Sequence, residues 1–250
     1  MRNYRMILQY EGTKYQGWQK QESTDNTIQG KLENILSKMA GETVEVHGAG
    51  RTDAGVHAKG QVAHFKLYSG LMEEKTETEI RDYINQYLPE DIAVVSLKEA
   101  GERFHARLNA VGKIYQYRII NSKIPHVFDR RYACVVEKPL DIEQMRQAAE
   151  RLTGTHDFKA FTSTKRGKKS TVRTIESIDI QKTGDEITLT YKGDGFLYHM
   201  VRILTGTLIE VGLLERSVSS VEDALGSLER KNAGFLAAAK GLTLMEVLYH

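Results

Sequence analysis

The residues best suited to chemistry lie in one glycine-rich segment, HGAGRTDAGVHAKG, which runs from His47 to Gly60. Four glycines surround a single arginine, Arg51, and a single aspartate, Asp53. Glycines permit positive φ and close backbone approach, so such a loop can hold both side chains in fixed positions against a ligand. A neighbouring guanidinium keeps a carboxylate ionised, and an ionised carboxylate can attack an electrophilic carbon such as a sugar C1′ or a uracil C6.

Two other interpretations of this segment follow from the same residues. A phosphate-binding loop is disfavoured, because the Gly-Lys-Ser/Thr ending of a Walker loop is missing and Asp53 stands where G-x-G-x-x-G requires its third glycine. A tight turn, in which Asp53 accepts hydrogen bonds from neighbouring backbone amides, suits the residue types equally well. Residue types alone leave the turn and the reactive carboxylate both open.

The elements that must position this segment alternate between strand and helix patterns. Alternating apolar residues indicate strands, helical spacing indicates helices, and Thr76 with Glu79 forms a capping-box pattern. Asp25 and Asn26 are possible caps for the first helix, and Gly41 ends it. The predicted strands are 4–10, 42–46, 61–67, 92–97, 111–120, 171–181, 186–192 and 242–249, with Cys134 also on a strand, and the predicted helices are 27–40, 76–88, 141–152, 196–211 and 221–228.

This order predicts an α+β fold in which the mixture of strands and helices occurs twice. A boundary is expected where GERFHARLNAVG, residues 101–112, concentrates glycine and charge between two strand patterns. The prediction is an N-terminal domain over residues 1–106 that carries the aspartate loop, and a C-terminal domain over residues 107–250.

Composition excludes several classes of protein. The chain has 250 residues, 40% of them hydrophobic and 27% charged, with 3 Pro, so it can bury a core and is not disordered. No apolar run reaches the ~20 residues of a membrane span, the N-terminus lacks a signal-peptide pattern, and Cys134 is the single cysteine. The cytoplasm is therefore the expected location.

Charge is distributed unevenly, although the formal net charge is only +2. Residues 159–173 hold six basic side chains and no acidic one. Such a tract is either a solvated loop or an arm that contacts phosphates, since clustered Lys and Arg release counterions when they meet a polyanion. We expect RNA contacts from its centre, namely Lys165, Arg166, Lys168 and Lys169.

The segment GAGRTDAGVHA resembles the catalytic loop of the tRNA pseudouridine synthase A family. YQGWQKQ, KIYQY and GFLYHMVR match further segments of that family in order, so the resemblance spans both halves of the chain. It implies a cofactor-independent isomerase that breaks the N1–C1′ bond of uridine, turns the base and rejoins it through C5. It also implies the pseudouridine synthase fold, with two similar halves and a cleft between them, a homodimer, and the tRNA anticodon stem-loop as substrate, at tRNA positions 38, 39 and 40.

The resemblance also implies roles for four residues. Asp53 is similar to the family's nucleophile, Tyr115 to the tyrosine that stacks on the target uracil, and Arg202 to the arginine that pairs with the aspartate. Arg51 resembles the arginine that helps extrude the uridine and hold the RNA backbone. From its residue type alone, Tyr115 is an ordinary strand tyrosine, whereas an arginine in an apolar helix, such as Arg202, needs an anionic partner in any case.

Other chemistry is expected to be absent or is left open. The histidines have no metal-ligand spacing, so no metal is expected, and His57 is interpreted as structural. Trp18 is either a packing residue or an RNA-facing aromatic. Whether Asp53 attacks C1′, adds to C6 or assists an elimination is open. The alternative functions are a noncatalytic RNA-binding module and a nucleotide-dependent transferase, the second of which would need clustered carboxylates for Mg²⁺.

Overall fold

A computed structural model of the chain describes residues 1–68, 75–164 and 170–250. The chain forms two compact units: unit 1 consists of Met1–Val111 and Leu244–His250, and unit 2 of Gly112–Thr243. The division therefore falls at 111/112, a little after the predicted boundary at 106/107. The last residues, Leu244–His250, belong to unit 1 and not to the C-terminal half.

The elements of unit 1 are β1 (Arg2–Tyr10), α1 (Ile28–Ala40), β2 (Val46–Gly48), β3 (His57–Leu67), α2 (Glu77–Tyr87), β4 (Ile92–Ala100) and most of β10 (Leu242–Leu248). They are built on an antiparallel sheet in the order β4-β1-β3, with β2 and β10 also beside β3. The alternation that predicts the first strand also determines its buried face, on which Tyr4 stacks against Phe65 of β3 with ring centroids 5.4 Å apart. Helices α1 and α2 contact β2 and β4 respectively.

The ends of the two helices in unit 1 follow from their capping residues. Thr27 caps α1 by accepting from the backbone N–H of Gly30, so the predicted caps Asp25 and Asn26 are wrong, lying two residues and one residue before the observed cap. Gly41 ends the helix at φ 70°, as predicted. The capping box of α2 is confirmed: Glu79 accepts from the backbone of Thr76, and its own N–H donates to the Thr76 hydroxyl.

The elements of unit 2 are β5 (Gly112–Ile120), β6 (Cys134–Val135), α3 (Ile142–Leu152), β7 (Gly154–Asp157), β8 (Val172–Thr183), β9 (Glu186–Gly193), α4 (Met200–Gly212) and α5 (Ser220–Ser227), with short 3₁₀ turns at Val127–Asp129, Phe158–Phe161, Arg230–Asn232 and Ala239–Gly241. The strands lie in the order β5-β9-β8-β7, all antiparallel, with the short β6 parallel to β5. Helix α3 packs on β8 and on α4. The largely antiparallel sheet and the helices on it confirm the α+β class.

Three predicted elements are wrong in position, and one observed strand has no counterpart in the prediction. The strand expected at 42–46 is replaced by β2 at Val46–Gly48, and β3 begins at His57 and not at residue 61, so both strands extend into the glycine-rich segment. Helix α4 begins at Met200 and not at residue 196, because His199 has a left-handed φ of 64° that a helix does not accommodate. Strand β7 has no alternation in its sequence, Gly154–Asp157, and was not predicted.

Candidate active site

The aspartate loop is the connection between β2 and β3, residues 49–56. Asp53 lies half-buried near its centre, and Arg51 is exposed two residues earlier. The N–H of Val56 donates to the carbonyl of Asp53 over 3.1 Å, and Gly55 between them has a φ of 79°. A tight turn therefore follows the aspartate directly, and the glycine supplies the positive φ that this turn needs.

Thr52, the residue before the aspartate, is held at both its side chain and its backbone. Its hydroxyl lies 2.9 Å from the buried Tyr10 hydroxyl, and its carbonyl accepts from the N–H of Trp18 over 3.1 Å. The side-chain amide of Gln61 donates to the carbonyl of Gly50 over 2.9 Å and lies 3.4 Å from the Tyr10 hydroxyl. These buried contacts fix the backbone from which the Asp53 carboxylate projects.

Two glycines outside the loop let the N-terminal segment lie directly against it. Gly17 has a φ of 92°, and a Cβ at this position would meet the Thr52 carbonyl oxygen at 2.7 Å. A Cβ at Gly12 would meet the Val56 carbonyl oxygen at 2.0 Å, and the Gly12 N–H donates to Nδ1 of His57 over 3.0 Å. Because neither position has room for a side chain, the backbone at Gly12 and Gly17 packs directly against the backbone of the loop. His57 thus has the structural role expected for it.

Trp18 is a packing residue. Only 2% of it is exposed, and a Cβ at Gly48 would come within 2.5 Å of its indole ring. Its ring centroid lies 6.2 Å from that of Tyr10. Of the two interpretations of Trp18, the RNA-facing one is therefore wrong, because the ring is covered by β2 at the entrance to the aspartate loop.

Arg51 has one hydrogen-bond partner among the described residues. Its Nε donates to Oε1 of Gln19 over 3.0 Å, while the side chain as a whole is exposed. When Nε of a guanidinium is engaged, the two Nη groups remain as a planar fork that can bind the two oxygens of a phosphate.

Tyr115 and Arg202 belong to unit 2. Tyr115 lies on β5 with 7% of its surface exposed, and its ring meets that of Phe196 edge to face, with centroids 5.3 Å apart. Arg202 lies on the first turn of α4, where its Nε donates to the carbonyl of Ala237 over 2.7 Å and its own carbonyl accepts from the Ala237 N–H. A backbone carbonyl therefore orients the guanidinium.

The start of α4 depends on contacts with a distant part of unit 2. The hydroxyl of Thr162 donates to the carbonyl of Tyr198 over 2.9 Å, and Nδ1 of His199 lies 2.9 Å from the Ser163 hydroxyl. A non-glycine residue at positive φ is strained, and surrounding contacts must hold it. These bonds stabilise the turn that sets the direction of α4, and hence of Arg202.

Of the residues predicted from sequence, Arg51 and Asp53 lie on one loop of unit 1, while Tyr115 and Arg202 lie on β5 and α4 of unit 2. Lys165, Arg166, Lys168 and Lys169 lie outside the described residues. Sequence reasoning missed the supporting side chains, which are Tyr10, Gln19, Thr52 and Gln61. Only the two glycines of EGTKYQG, Gly12 and Gly17, hinted that a backbone segment approaches the loop.

The structure also limits metal binding and membrane insertion within the described ranges. Over residues 1–68, 75–164 and 170–250, no three histidine, cysteine or acidic side chains are grouped so that they could hold a metal ion. In the same ranges no helix combines the length and the apolar character needed to cross a bilayer.

Comparison with known proteins identifies the class to which this site belongs. A sequence profile of the tRNA pseudouridine synthase family matches residues 6–109 and 148–250, which include Arg51, Asp53 and Arg202 but not Tyr115. The chain is 48% identical over 244 residues to a tRNA pseudouridine synthase A of a Bacillus species, with 98% of each chain covered. It is 46% identical over 249 residues to tRNA pseudouridine synthase A 1 of Clostridium tetani and 43% identical over 249 residues to tRNA pseudouridine synthase A of Brevibacillus brevis, covering 100% of each chain in both cases.

Among solved structures, a crystal structure of a Cbf5-Nop10-Gar1 complex matches with a TM-score of 0.36 and 13% identity. The match covers 86% of this chain and 44% of that one, so this chain spans less than half of the chain it matches.

The profile places the protein among the pseudouridine synthases, a class of isomerases. Because identities of this size extend over the whole chain, it belongs to the tRNA pseudouridine synthase family.

Proposed function

We propose that the protein isomerises uridine to pseudouridine in the anticodon stem-loop of tRNA, at positions 38, 39 and 40, with Asp53 as the nucleophile. The observation that carries the proposal is the aspartate loop: Asp53 follows a residue held at both its hydroxyl and its carbonyl, and the chain is a member of this family. A weak nucleophile such as a carboxylate reacts well only when its position is fixed against the electrophilic carbon.

The reaction leaves the composition of the nucleoside unchanged, so it consumes no co-substrate. The N1–C1′ bond breaks and a C5–C1′ bond forms, while C5 loses its proton and N1 gains one. Asp53 would act at C1′ or C6, or assist an elimination from the sugar, and each route uses the same ionised carboxylate. On each route the protein must hold the uracil in place after it has left the sugar, while the base turns.

A uridine within a stem reaches the carboxylate only after it is flipped out, at a cost of a few kcal/mol. Tyr115 is proposed to stack on the extruded uracil, and stacking of a base on an aromatic ring contributes about 1–3 kcal/mol. The edge-to-face contact with Phe196 would keep the Tyr115 ring in one orientation for this purpose. Arg51 is proposed to assist extrusion by holding the RNA backbone with its exposed guanidinium.

Arg202 is proposed to pair with the Asp53 carboxylate. Its Nε is engaged by the Ala237 carbonyl, and this contact would orient the Nη groups toward an anionic partner. Such a pair keeps the carboxylate ionised when the substrate displaces water.

Recognition is proposed to depend on RNA shape and backbone, because three neighbouring positions share no single base sequence. Lys165, Arg166, Lys168 and Lys169 are proposed to contact phosphates as part of this recognition. The reaction is assigned to the cytoplasm, in keeping with the sequence expectation.

The protein is further proposed to act as a homodimer. Several apolar side chains between β5 and β6 are exposed, including Ile124, Val127 and Phe128, the last with 94% of its surface accessible. Contiguous exposed apolar residues are typical of interaction surfaces. Sedimentation equilibrium of the intact protein should give twice the chain mass of 28.3 kDa, and a monomer at micromolar concentration would contradict the dimer.

The test of the activity uses unmodified tRNA transcripts in which uridine occurs at only one of positions 38, 39 and 40. The intact protein should convert each of these uridines without added metal or nucleotide, and an adduct specific for pseudouridine, mapped by primer extension, detects the product. A transcript with cytidine at all three positions is the control and should show no product. Binding without conversion of any transcript would favour a noncatalytic RNA-binding module instead.

A further inference from the structure

Behind Arg51 lies a chain of side-chain hydrogen bonds that ends at a buried carboxylate. Glu33, on α1, is 8% exposed, and its Oε1 accepts from the backbone N–H of Val46 over 3.1 Å and from Nε2 of Gln29 over 2.9 Å. Its Oε2 lies 3.1 Å from the ammonium of Lys20. A buried carboxylate with these partners is a fixed acceptor, because moving it would leave its charge without compensation.

The orientation of each amide in this chain is determined by the residue behind it. Gln29 donates from Nε2 to Glu33 and to the Val46 carbonyl, the latter over 3.0 Å, so its Oε1 must point the other way. That oxygen accepts from Nε2 of Gln19 over 2.7 Å. Gln19 is thereby left with its own oxygen toward Arg51, whose Nε donates to it over 3.0 Å. An ionised acceptor at one end thus selects one of the two amide orientations at every step.

The same chain connects Arg51 to the strand that precedes its loop. Gln19, Gln29 and Glu33 form a relay of hydrogen bonds, and both backbone polar groups of Val46, at the start of β2, bind it. The Val46 N–H donates to Glu33 and the Val46 carbonyl accepts from Gln29. The relay therefore restrains the exposed Arg51 side chain itself, whose rotation the fixed backbone of the loop does not prevent. Among the described residues no hydrogen bond reaches the Nη atoms of Arg51.

We propose that Gln19, Gln29 and Glu33 are positioning residues that hold the Arg51 guanidinium with its Nη edge presented to a phosphate of the RNA. The proposal rests on the proposed function, in which Arg51 contacts the tRNA backbone. The guanidinium loses little rotational freedom on binding because the relay has already ordered it, so the contact is stronger than one made by an unrestrained arginine.

The test measures tRNA affinity by fluorescence anisotropy in an Asp53→Asn background, in which turnover cannot alter the RNA. Gln19→Met removes both relay atoms of Gln19 at similar side-chain length and should weaken binding by about three- to tenfold, the effect of losing one ordered charge-assisted contact. Gln21→Met is the matched control, since Gln21 lies in the same segment, is exposed and donates only to the Gln16 carbonyl. It should bind as tightly as the parent.

A double-mutant cycle separates positioning from a general structural effect. Arg51→Met should weaken binding by about tenfold, and Gln19→Met added to it should cause no further loss, because Gln19 acts only through Arg51. Additive losses in the double variant, or parental affinity in Gln19→Met, would overturn the proposal. Unfolding of each variant, followed by the fluorescence of Trp18, verifies that the compared proteins are folded.

The relay and the isomerase proposal fail in distinguishable ways. If the intact protein forms no pseudouridine while Gln19→Met still weakens tRNA binding through Arg51, the relay stands and the activity is wrong. If the intact protein converts its substrate and Gln19→Met binds like the parent, the activity stands and the relay is wrong.

Discussion

Acid should destabilise unit 1 through one buried imidazole, that of His64 on β3. His64 is 3% exposed, and its ring lies beside those of His47 and His105, with centroids 5.1 and 4.5 Å away. Its Nδ1 accepts from the backbone N–H of Ala106 over 3.1 Å, so a second proton would have to enter where a donor already points. Burial, followed by the two neighbouring imidazoles, lowers the pKa of His64 to about 4.

The sign and size of the effect follow from linkage. The pKa of an unfolded histidine is about 6.5, so the unfolded chain binds this proton more readily than the folded one. The stabilisation is fully present above pH 6.5 and is lost as the pH falls toward 4. The lowered pKa corresponds to on the order of 3 kcal/mol, most of which should be lost by pH 4.5. Burial also lowers the pKa of His105, so its contribution has the same sign.

Urea unfolding at pH 7.5 and 4.5, followed by fluorescence, measures this directly, because Trp18 is the single tryptophan and is buried in unit 1. His64→Asn keeps a side-chain acceptor near Ala106 and cannot titrate. It should lose about 2–3 kcal/mol less than the parent on acidification. His250→Asn, at the exposed C-terminus, is the control and should follow the parent. Equal losses in His64→Asn and the parent would refute the assignment to His64.

Three further predictions concern the loop and the stacking residue. Thr52→Val leaves the buried Tyr10 hydroxyl without this partner and should lower the free energy of unfolding by about 1–2 kcal/mol in urea denaturation, with a lower kcat, whereas an unchanged kcat would contradict its role beneath Asp53. Gly17→Ala should lose more stability and activity than Gly41→Ala. Both replace a glycine at positive φ, which costs about 1–2 kcal/mol in unfolding free energy, but the new Cβ meets the loop at Gly17 and meets nothing within 4 Å at Gly41. Equal losses would contradict this reasoning. Tyr115→Ala should reduce kcat/KM by about 5- to 150-fold and Tyr115→Phe by far less, because stacking needs the ring and not the hydroxyl; equal losses would show that the hydroxyl matters.

Local patterns in the sequence determined most of the fold. The alternation in β1 and the capping box of α2 involve residues within a few positions of each other, and both predictions are confirmed. The start of α4 could not be predicted in this way. Its helical spacing extends back to residue 196, but the helix begins at Met200, after a strained His199 that a distant residue, Ser163, contacts.

The candidate site divides along the same line. The residue types and glycines of the loop made Arg51 and Asp53 candidates, because the chemistry open to these side chains can be inferred from the local sequence. The residues that hold the loop, such as Tyr10 and Gln19, contact it across 42 and 32 positions of sequence, and these contacts cannot be inferred from their neighbours in the sequence. Such long-range polar contacts follow from the way the sheet and α1 come together, and they became visible only in the folded chain.

The central claim is that the carboxylate of Asp53 performs the chemistry, and Asp53→Asn tests it most directly, because it removes the charge at nearly constant size. Single-turnover conversion of an anticodon stem-loop uridine should fall by more than about 10³-fold in this variant. Affinity for the same tRNA should stay within about threefold of the parent, since the groups proposed to bind RNA are unchanged. Conversion by Asp53→Asn at a rate near that of the intact protein would contradict the assignment of the nucleophile.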